Sequence, residues 1–449
     1  MIYEAEAGDL NLVAVGDAMV TQKLSVYREA RYLELMDLIR GADAACANLE
    51  MTYHDWEPAP GLSTSVAFSA TTPAHLEEYK WMGFRLATMA HNHHNDYGID
   101  GLLTSQGHVE EAGLVHAGAG RNLAEARAPA YLETPKGRIA LLACASTFVE
   151  AGLATRQRPD HKGRAGISGL HHHPIYTVDP QSFEQLRRIS RGLGLEANKD
   201  ALRRFVSYGD VPRDTDDEFY FIDRGRPAYR RLFRRGEEFA VSSEPDAGDT
   251  EDILRWVREA RRQADWVLLS IHCHEHDVDP EAAPAFLETF ARRCVDEGVD
   301  VFIGHGPHFA RGVEIYRGKP ILYGLGNFVF QNETYRWAPQ ETYEAHGLGY
   351  DNTTADAWDA RTLGGTVSFY SDPKYWRGLV AQPVFQGWEL KELRLHVADL
   401  GYRQPRSRNG RPVLASAEIA SETLDRVARL SERYGTRIDF RDGVGIVRP

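Results

Sequence analysis

The chain has 449 residues, of which 43% are hydrophobic, 26% charged and 10% aromatic. This composition excludes a disordered chain, because enough apolar surface is present to offset the entropy lost on ordering. Lys and Arg number 52 against 65 Asp and Glu, and the resulting net charge of −13 argues against a non-specific nucleic-acid binder.

The first 150 residues alternate short apolar runs with amphipathic stretches, which is the pattern of a layered α/β fold. In chain order the predicted elements are a strand at 10–17, a helix at 27–40, a strand at 42–50, a helix near 73–82, a strand at 84–90, a helix at 98–113 and a strand at 137–146. Polar residues follow several of these strands directly, as they do at the carboxyl ends of strands in such folds.

Two long stretches interrupt this alternation. Residues 152–250 form a loop-rich segment with short helical patterns at 183–191 and 196–208, and residues 331–378 are rich in Tyr, Trp, Gly and Asp. The other predicted elements are a helix at 251–263, a strand at 265–271, a helix at 281–297, a strand at 299–304, strands within 311–330 and 380–398, a helix near 415–432 and a short β end. We expect one domain over residues 1–449, with the two insertions as lids that face a substrate.

Cysteine usage and hydropathy bear on the compartment. The four cysteines are far apart in the sequence and form no CxxC pair. We therefore expect a reducing cellular compartment and no disulfide framework. Residues 1–12 lack the basic and apolar regions of a signal peptide. No run approaches the roughly 18 apolar residues of a membrane span. We therefore expect a soluble, cytoplasmic protein that binds neither membrane nor nucleic acid.

Five polar clusters follow apolar strands, and each offers groups that can bind a metal or carry a proton. They are Asp17; Glu50; Asn92 and His93 with Asp96; His272 with His274 and Glu275; and His305 with His308. If these strand ends share one edge, the clusters form a single pocket there. A divalent ion accepts such a mixture of carboxylate, amide oxygen and imidazole.

Each cluster alone also has a purely structural interpretation. Asp17 would cap a helix, Glu50 would be a solvated turn residue, and Cys273 would pack as an ordinary buried thiol. The histidine triplet at 171–173 would form a polar surface or a pocket rim. The repetition favours a metal site, because three strand-end histidine clusters are hard to explain as buried core histidines.

The order of these motifs resembles the poly-γ-glutamate capsule-synthesis (CapA-like) family, a branch of the calcineurin-like metallophosphoesterase superfamily. The motifs are GD, NLE, NHxxDYG, a histidine-rich strand end, and GHGPH followed by EIYRGKPILYGLGNFVF, and the resemblance covers roughly residues 10–150, 265–330 and 410–449. It implies a four-layer α/β/β/α sandwich with metal ligands on loops at the strand ends. The ligands that it implies for a divalent ion (Ca, Mn, Mg or Zn) are Asp17, Glu50, Asn92, His272, His305 and His308. It also implies that His93 is the catalytic histidine, with Asp96 as its orienting acid.

The chain departs from the superfamily pattern in the metal shell. Ala18 and Met19 follow Asp17 where an Asp-x-His motif would supply a histidine ligand. His272-Cys273-His274 stands where the family has His-Trp-Gly. We therefore do not expect a site with two metal ions that binds both sides of a phosphoryl group. We expect a single ion that is weakly held or bound through water.

Two enzyme functions fit such a pocket. In the first, the chain is similar to CapA-like enzymes that epimerise a residue of ribosomally made lasso peptides. His93 with Asp96, and Asp17 with His305 or His308, would be the acid/base pairs on the two sides of a peptide Cα, and a cation would stabilise the enolate. In the second, the chain is a metal-dependent hydrolase or transferase acting on poly-γ-glutamate-like amides or phosphoesters.

A third alternative, outside enzymology, is a binding protein that keeps a degenerate site. The epimerase is our prediction, because the phosphoesterase signature is broken while His and Asp are abundant. A peptide is then the expected substrate.

Overall fold

The computed structural model describes residues 8–65, 67–204, 211–222 and 230–449. In chain order its strands are β1 (Leu10–Met19), β2 (Ala44–Leu49), β3 (Thr52–Tyr53), β4 (Ala70–Thr71), β5 (Leu86–Thr88), β6 (Val115–Ala117), β7 (Ala119–Gly120), β8 (Ala130–Thr134), β9 (Gly137–Ala145), β10 (Gly166–Ile167), β11 (His172–Val178), β12 (Glu218–Ile222), β13 (Arg230–Arg235), β14 (Ala240–Pro245), β15 (Trp266–His272), β16 (Val301–His305), β17 (Val313–Tyr316), β18 (Lys319–Leu322), β19 (Asn327–Phe330), β20 (Arg377–Gln386), β21 (Glu389–Asp399), β22 (Val413–Leu414), β23 (Asp439–Arg441) and β24 (Val444–Val447). Its α-helices are α1 (Ala30–Arg40), α2 (Leu76–Met82), α3 (Gly98–Glu111), α4 (Leu123–Arg127), α5 (Pro180–Gly192), α6 (Leu195–Arg204), α7 (Ala247–Gln263), α8 (Ala285–Asp296), α9 (Gln340–Glu344), α10 (Thr354–Thr362) and α11 (Ala417–Ser431).

The mixed α/β character predicted from the sequence is confirmed, and the predicted elements are found with their ends shifted by a few residues. The last part of the predicted helix at 196–208 lies outside the described residues, as do residues 1–7 of the segment in which no signal peptide is expected.

The prediction that residues 152–250 are loop-rich is wrong. This segment contains a four-stranded sheet in the order β12-β13-β11-β14, together with α5 and α6. Residues 172 and 173 of the histidine triplet begin β11 instead of forming a loop. The strands escaped prediction because they are short, and β13, with its sequence RRLFRR, is also strongly charged, which obscures the alternation of a half-buried strand.

The chain divides into two compact units. The larger contains the described residues up to Leu170, Asp249–Glu275 and Ala291–Pro449, and the smaller contains His171–Gly248 and His276–Phe290. The sheet of the first predicted insertion therefore belongs to the smaller unit, whereas residues 331–378 belong to the larger one.

Two sheets form the larger unit. One has ten strands, eight of them in the order β23-β24-β21-β20-β1-β2-β5-β6, with β19 beside β1 and β22 beside β21. The other has six strands in the order β17-β18-β16-β15-β9-β8. Both sheets contribute to one hydrophobic core, in which Trp266 of β15 packs against Phe385 of β20 with ring centroids 4.9 Å apart.

The strands that precede the polar clusters run parallel to their neighbours. In the ten-stranded sheet β1 pairs with β2, and β2 with β5, while in the six-stranded sheet β15 pairs with β16. The pairing register sets Asp17 beside Asn48 and His272 beside His305. Apolar strands thus end in polar residues at a shared edge of each sheet, as in other parallel sheets.

The four cysteines are buried free thiols, so the expectation of no disulfide framework is confirmed. Within the described ranges, no helix combines the length and the apolar character that crossing a bilayer requires.

A close backbone approach fixes β1 just before Asp17. A Cβ added at Gly16 would lie 1.7 Å from the carbonyl oxygen of Gly326. The Asp17 N–H donates a hydrogen bond to that same carbonyl over 2.9 Å. Any side chain at Gly16 would therefore push the backbone away from Gly326 and displace Asp17.

Replacing Gly16 with alanine should lower the free energy of unfolding by about 1–3 kcal/mol, as overpacking does elsewhere. Gly107→Ala is the matched control, because no atom lies within 4 Å of its added Cβ inside α3. That control should be neutral or stabilising by about 0.5–1 kcal/mol, since alanine favours a helix over glycine. Urea unfolding measures both, and equal midpoints for the two variants would contradict the steric argument.

Candidate active site

Residues from the strand ends of both sheets converge on one buried polar cluster. Asp17, Glu50, His272 and His305 are each at most 1% exposed. The Glu50 Oε1 atom lies 3.6 Å from His272 Nε2 and 3.8 Å from His308 Nε2. Asp17 Oδ1 lies 3.7 Å from His272 Nδ1. The larger unit therefore brings together the sequence-predicted residues of β1, β2, β15 and the β16 loop.

Several atoms of the site that could bind a metal ion have no hydrogen-bond partner in the described part of the chain. They are both carboxylate oxygens of Glu50, both ring nitrogens of His305 and the amide oxygen of Asn92. Buried polar atoms are normally paired, because leaving one unpaired costs about 1–3 kcal/mol. Unpaired carboxylate, imidazole and amide oxygen atoms in one cluster fit the requirements of a divalent cation.

Two groups of three ligand atoms are compact enough to hold an ion. Glu50, His272 and His274 form one group, and Asp17, Glu50 and His308 form the other, with the atoms of each group within 4.8 Å of one another. Glu50 belongs to both. His305 belongs to neither, although its Nδ1 lies 4.0 Å from Asp17 Oδ1. The cluster can accommodate one ion in either group, or two ions that share Glu50.

Burial determines the charge of the cluster. It raises the pKa of Asp17, and it raises the pKa of Glu50 well above the usual range, with a further contribution from the neighbouring Asp17 charge. It lowers the pKa of His272 and His274 well below the usual range, and that of His305 to about 3. The imidazoles are therefore neutral ligands at neutral pH, and a cation would favour ionisation of the carboxylates.

Asn48 orients the cluster, although the sequence analysis did not single it out. Its Nδ2 donates to Asp17 Oδ1 over 2.9 Å and lies 3.2 Å from His272 Nδ1. Its amide oxygen accepts a hydrogen bond of 2.8 Å from the Thr88 hydroxyl. Asn48 becomes recognisable only from the register of β1 and β2, which places it beside Asp17.

His274 is absent from the predicted ligand set, yet it belongs to one of the two compact groups. Its Nε2 lies 3.0 Å from the Nε2 of His272, the last residue of β15. A signal was present in the sequence, because residues two apart in an extended chain point to the same side.

His93 and Asp96 form the pair that the resemblance implies. His93 Nδ1 lies 2.7 Å from Asp96 Oδ2, and the Asp96 carboxylate also accepts the Ser69 N–H over 2.7 Å and the Ser63 hydroxyl over 2.6 Å. These bonds fix the carboxylate, which in turn orients the imidazole. The His93 Nε2 is then the nitrogen that can exchange a proton.

His94 has a different environment from its neighbour. Its two ring nitrogens lie 2.5 Å and 2.9 Å from the carbonyl oxygens of His91 and Gly152. Burial lowers its pKa to about 4, so at neutral pH the ring holds one proton and donates to one of these carbonyls. His94 therefore contributes to the packing of the loop.

His308 has a strained backbone, with φ of +62°. Such strain persists only where the surroundings impose it, and it is concentrated at functional sites. The His308 Nδ1 lies 2.9 Å from the Oδ1 of Asn327, the asparagine of the GNF motif. The ring is therefore oriented by an amide.

The structure forms no hydrogen bond within the second predicted acid/base pair. Asp17 is 3.6 Å from His308 and 4.0 Å from His305, too far for a hydrogen bond. Asp17 instead accepts hydrogen bonds from Asn48 and from the backbone N–H of Gly306 over 3.1 Å.

A cavity of about 400 Å³ gives access to these groups. Its lining residues from the polar clusters are Asn92, His93, His274 and His308, and those from the second predicted insertion are Asn332, Arg361, Phe369 and Tyr375. The volume lies in the range of small-ligand pockets. Three histidines and part of the segment 331–378 therefore face one cavity.

The site lies within the part of the chain that known proteins share. Residues 11–332 match the family described as Bacterial capsule synthesis protein PGA_cap. Two uncharacterized proteins of Sinorhizobium fredii, y4sH and y4uA, are each 31% identical over 450 residues, covering 97% of this chain and 92% of theirs. The capsule biosynthesis protein CapA of Bacillus anthracis is 23% identical over 255 residues, 57% of this chain and 42% of that protein. A protein of Mycobacterium tuberculosis named as a probable polyglutamine synthesis accessory protein is 29% identical over 191 residues, 42% of this chain and 40% of that protein.

Replacing Glu50 with glutamine should remove most of the stabilisation that divalent ions give. At an ion concentration 100-fold above Kd, the wild type should gain about 2.7 kcal/mol of unfolding free energy. Thermal unfolding after chelation, and then with Ca²⁺, Mn²⁺, Mg²⁺ or Zn²⁺, measures this gain. Glu389→Gln, on an exposed residue of β21, should behave like the wild type. An equal gain in the Glu50→Gln variant would contradict the assignment of Glu50 as a ligand.

The same variant has a pH signature in metal-free protein. Unfolded Glu50 ionises near its usual pKa, whereas burial keeps the folded carboxyl protonated. Between the pKa of Glu50 in the unfolded chain and its raised pKa in the folded protein, each rise in pH therefore lowers the free energy of unfolding. The loss is up to about 1.4 kcal/mol per pH unit. The variant should escape this loss, so its stability relative to the wild type should increase with pH. A difference that does not vary with pH would contradict the raised pKa.

Proposed function

This chain belongs to the bacterial capsule synthesis protein PGA_cap family, and we propose that it is a metal-dependent acid/base enzyme that epimerises a peptide residue at Cα. The observation that carries the proposal is that His93, held by Asp96, and His308 line the same cavity. We also infer the four-layer metallophosphoesterase sandwich and the lasso-peptide epimerase branch. The shared core of the two sheets supports the sandwich.

A divalent cation is part of this proposal. The residues that would hold it are drawn from Asp17, Glu50, Asn92, His272, His274, His305 and His308. Their mixture of oxygen and nitrogen donors is compatible with Ca, Mn, Mg or Zn. When bound, the cation supplies positive charge that stabilises negative charge developing on the substrate carbonyl oxygen.

Inversion at Cα needs one group that removes the proton from one face and another that returns a proton to the opposite face. His93 serves one face, since Asp96 holds its Nδ1 and stabilises the imidazolium that forms when Nε2 accepts a proton. His308 serves the other face, with its ring oriented by Asn327. Whichever of the two rings removes the Cα proton becomes protonated, and the other must enter the reaction already protonated so that it can deliver a proton to the opposite face.

His308 cannot be a base and a metal ligand at the same time. Its Nδ1 is engaged by Asn327, so Nε2 is the one nitrogen left for either role. An ion held by Glu50, His272 and His274 leaves the His308 Nε2 available, whereas an ion held by Asp17, Glu50 and His308 does not. The epimerase proposal therefore requires the first group.

Residues 331–378 face the substrate in this proposal. Phe369 packs edge-on against His308 with ring centroids 5.2 Å apart and against Phe330 at 4.9 Å. An aromatic wall beside an acid/base histidine keeps water away and strengthens electrostatic interactions with the substrate. The lid role of residues 152–250 stays a prediction.

Hydrolysis or group transfer on poly-γ-glutamate-like amides or phosphoesters is the second candidate function. The observation that favours it is that two compact ligand groups share Glu50, as a site for two ions would. The relatives named for capsule biosynthesis and polyglutamine synthesis point in the same direction. In that case His308 would be a ligand, and His93 would be the acid/base group.

An isotope experiment separates the two functions. Metal-loaded protein incubated with a ribosomal peptide in heavy water should introduce one deuterium at one Cα without shortening the peptide. His93→Ala should lower the exchange rate roughly 10²–10⁴-fold. His94→Gln should lower the exchange rate much less, because the His94 ring contacts backbone carbonyl oxygens. Shorter products that carry oxygen from ¹⁸O-labelled water, without deuterium at carbon, would establish the hydrolase instead.

Phe369→Ala should weaken peptide binding by about tenfold, because an aromatic contact of this kind contributes roughly 0.5–1.5 kcal/mol. Trp337→Ala is the control from the same segment, since Trp337 is 48% exposed and packs edge-on against Trp56 with ring centroids 4.7 Å apart. Peptide affinity of both variants, measured by calorimetry, checks the assignment. A larger loss at Trp337 than at Phe369 would place the peptide outside the cavity.

A further inference from the structure

Arg361 of α10 is a cation in the cavity, and none of the residues that the structure describes is a counter-ion to it. It is partly buried and lines the cavity that His93 and His308 also line. Within the described residues no carboxylate or carbonyl bonds to its guanidinium. Its contacts are the ring faces of Trp358 and Phe369, whose centroids lie 4.9 Å and 5.8 Å from Cζ.

Other buried arginines of the chain are paired. Arg127 forms ion pairs with Asp249 and Asp252, and Arg311 donates to the carbonyl oxygen of Glu275 over 2.7 Å. Burial lowers the pKa of Arg361, which is the direction expected for a desolvated cation without a partner. A charge left in this state disfavours the free protein, and an incoming anion would remove that penalty.

We propose that Arg361 binds a carboxylate of the substrate, an inference that rests on the peptide-directed function proposed above. Among the described lining residues it is the one Lys or Arg, so it matches a single negative charge. Its planar guanidinium can donate two parallel hydrogen bonds to a carboxylate. Two carboxylates of the site are engaged elsewhere, Asp17 with Asn48 and Asp96 with His93, and Glu50 is a candidate metal ligand.

Asn332 is a second donor for the same carboxylate. It is 6% exposed, lines the cavity and makes no side-chain hydrogen bond within the described residues. An amide N–H that faces the same cavity as the guanidinium can add a directional contact to the ion pair. Arg361 and Asn332 both belong to the segment 331–378, so this segment would recognise the charged end of the substrate.

The position of Arg361 has a consequence for which residue reacts. The carboxylate would be held in the same cavity of about 400 Å³ as His93 and His308. The reacting Cα must therefore lie close to that carboxylate. It would be at or near the C-terminus of a peptide, or next to the free α-carboxylate of a γ-linked glutamyl chain.

Calorimetry on the metal-loaded protein tests the inference with four probes. They are N-acetyl-tetraalanine, its C-terminal amide, a γ-linked glutamate tetramer and inorganic phosphate. The free acid should bind the wild type about tenfold more tightly than the amide, a ratio that corresponds to one charge-assisted contact. Preference for the alanine acid over the glutamate tetramer identifies a peptide terminus, and the reverse identifies a γ-linked chain.

Arg361→Gln should abolish the preference for acid over amide, and Arg361→Lys should retain part of it. Arg336→Gln is the matched control, because Arg336 stacks on Trp337 in the same segment at 4.2 Å but lies outside the cavity lining. It should keep the wild-type ratio. The ratio of the affinities for acid and amide is measured on folded protein, so a change in the stability of a variant does not affect it.

Equal affinity for acid and amide in the wild type, or an unchanged ratio in Arg361→Gln, would overturn the inference. Tighter binding of phosphate than of either carboxylate probe would overturn the carboxylate assignment. Absence of deuterium exchange together with an intact acid preference would overturn the epimerase function and leave the role of Arg361 standing.

Discussion

The structure around the site depends on one electrostatic constraint. Asp17 and Glu50 are fully buried beside each other; burial raises the cost of ionising both, and the Asp17 charge raises that of Glu50 further. Two such carboxylates stay charged only with a cation between or beside them. The neutral imidazoles of His272 and His308, 3.6–3.8 Å from Glu50, are the groups that would complete its coordination.

The fold provides this arrangement by ending parallel strands of two sheets at one place. Apolar runs keep β1, β2, β15 and β16 inside the core, so the first polar residue after each run lies where the sheets meet. The absence of a Cβ at Gly16 lets Gly326 approach, and this holds Asp17 in position. The strained φ of His308 serves to place a side chain in the cluster in the same way, because an unstrained loop would direct the ring elsewhere.

The residues that follow a strand directly could be predicted from the sequence, because the end of an apolar run is visible in one dimension. Asn48 could not, since its role follows from the register between β1 and β2. Arg361 could not either, because its significance is that no acidic residue in the described part of the chain lies against it, and this depends on tertiary structure. In the first insertion, the charged strand β13 obscured the sheet that β11, β12, β13 and β14 form.

The number of ions decides which chemistry the same residues perform. One ion bound by Glu50, His272 and His274 leaves two histidines of the cavity free to move protons on opposite faces of a carbon. A second ion, bound by Asp17, Glu50 and His308, uses the His308 Nε2 and leaves one acid/base histidine, as hydrolysis requires. Met19 stands where the Asp-x-His motif of the resembled superfamily has a histidine, so the group that contains Asp17 would have one ligand fewer. In the proposed function, that loss would weaken the second position more than the first, and it would favour proton transfer at carbon over displacement at phosphorus or an amide.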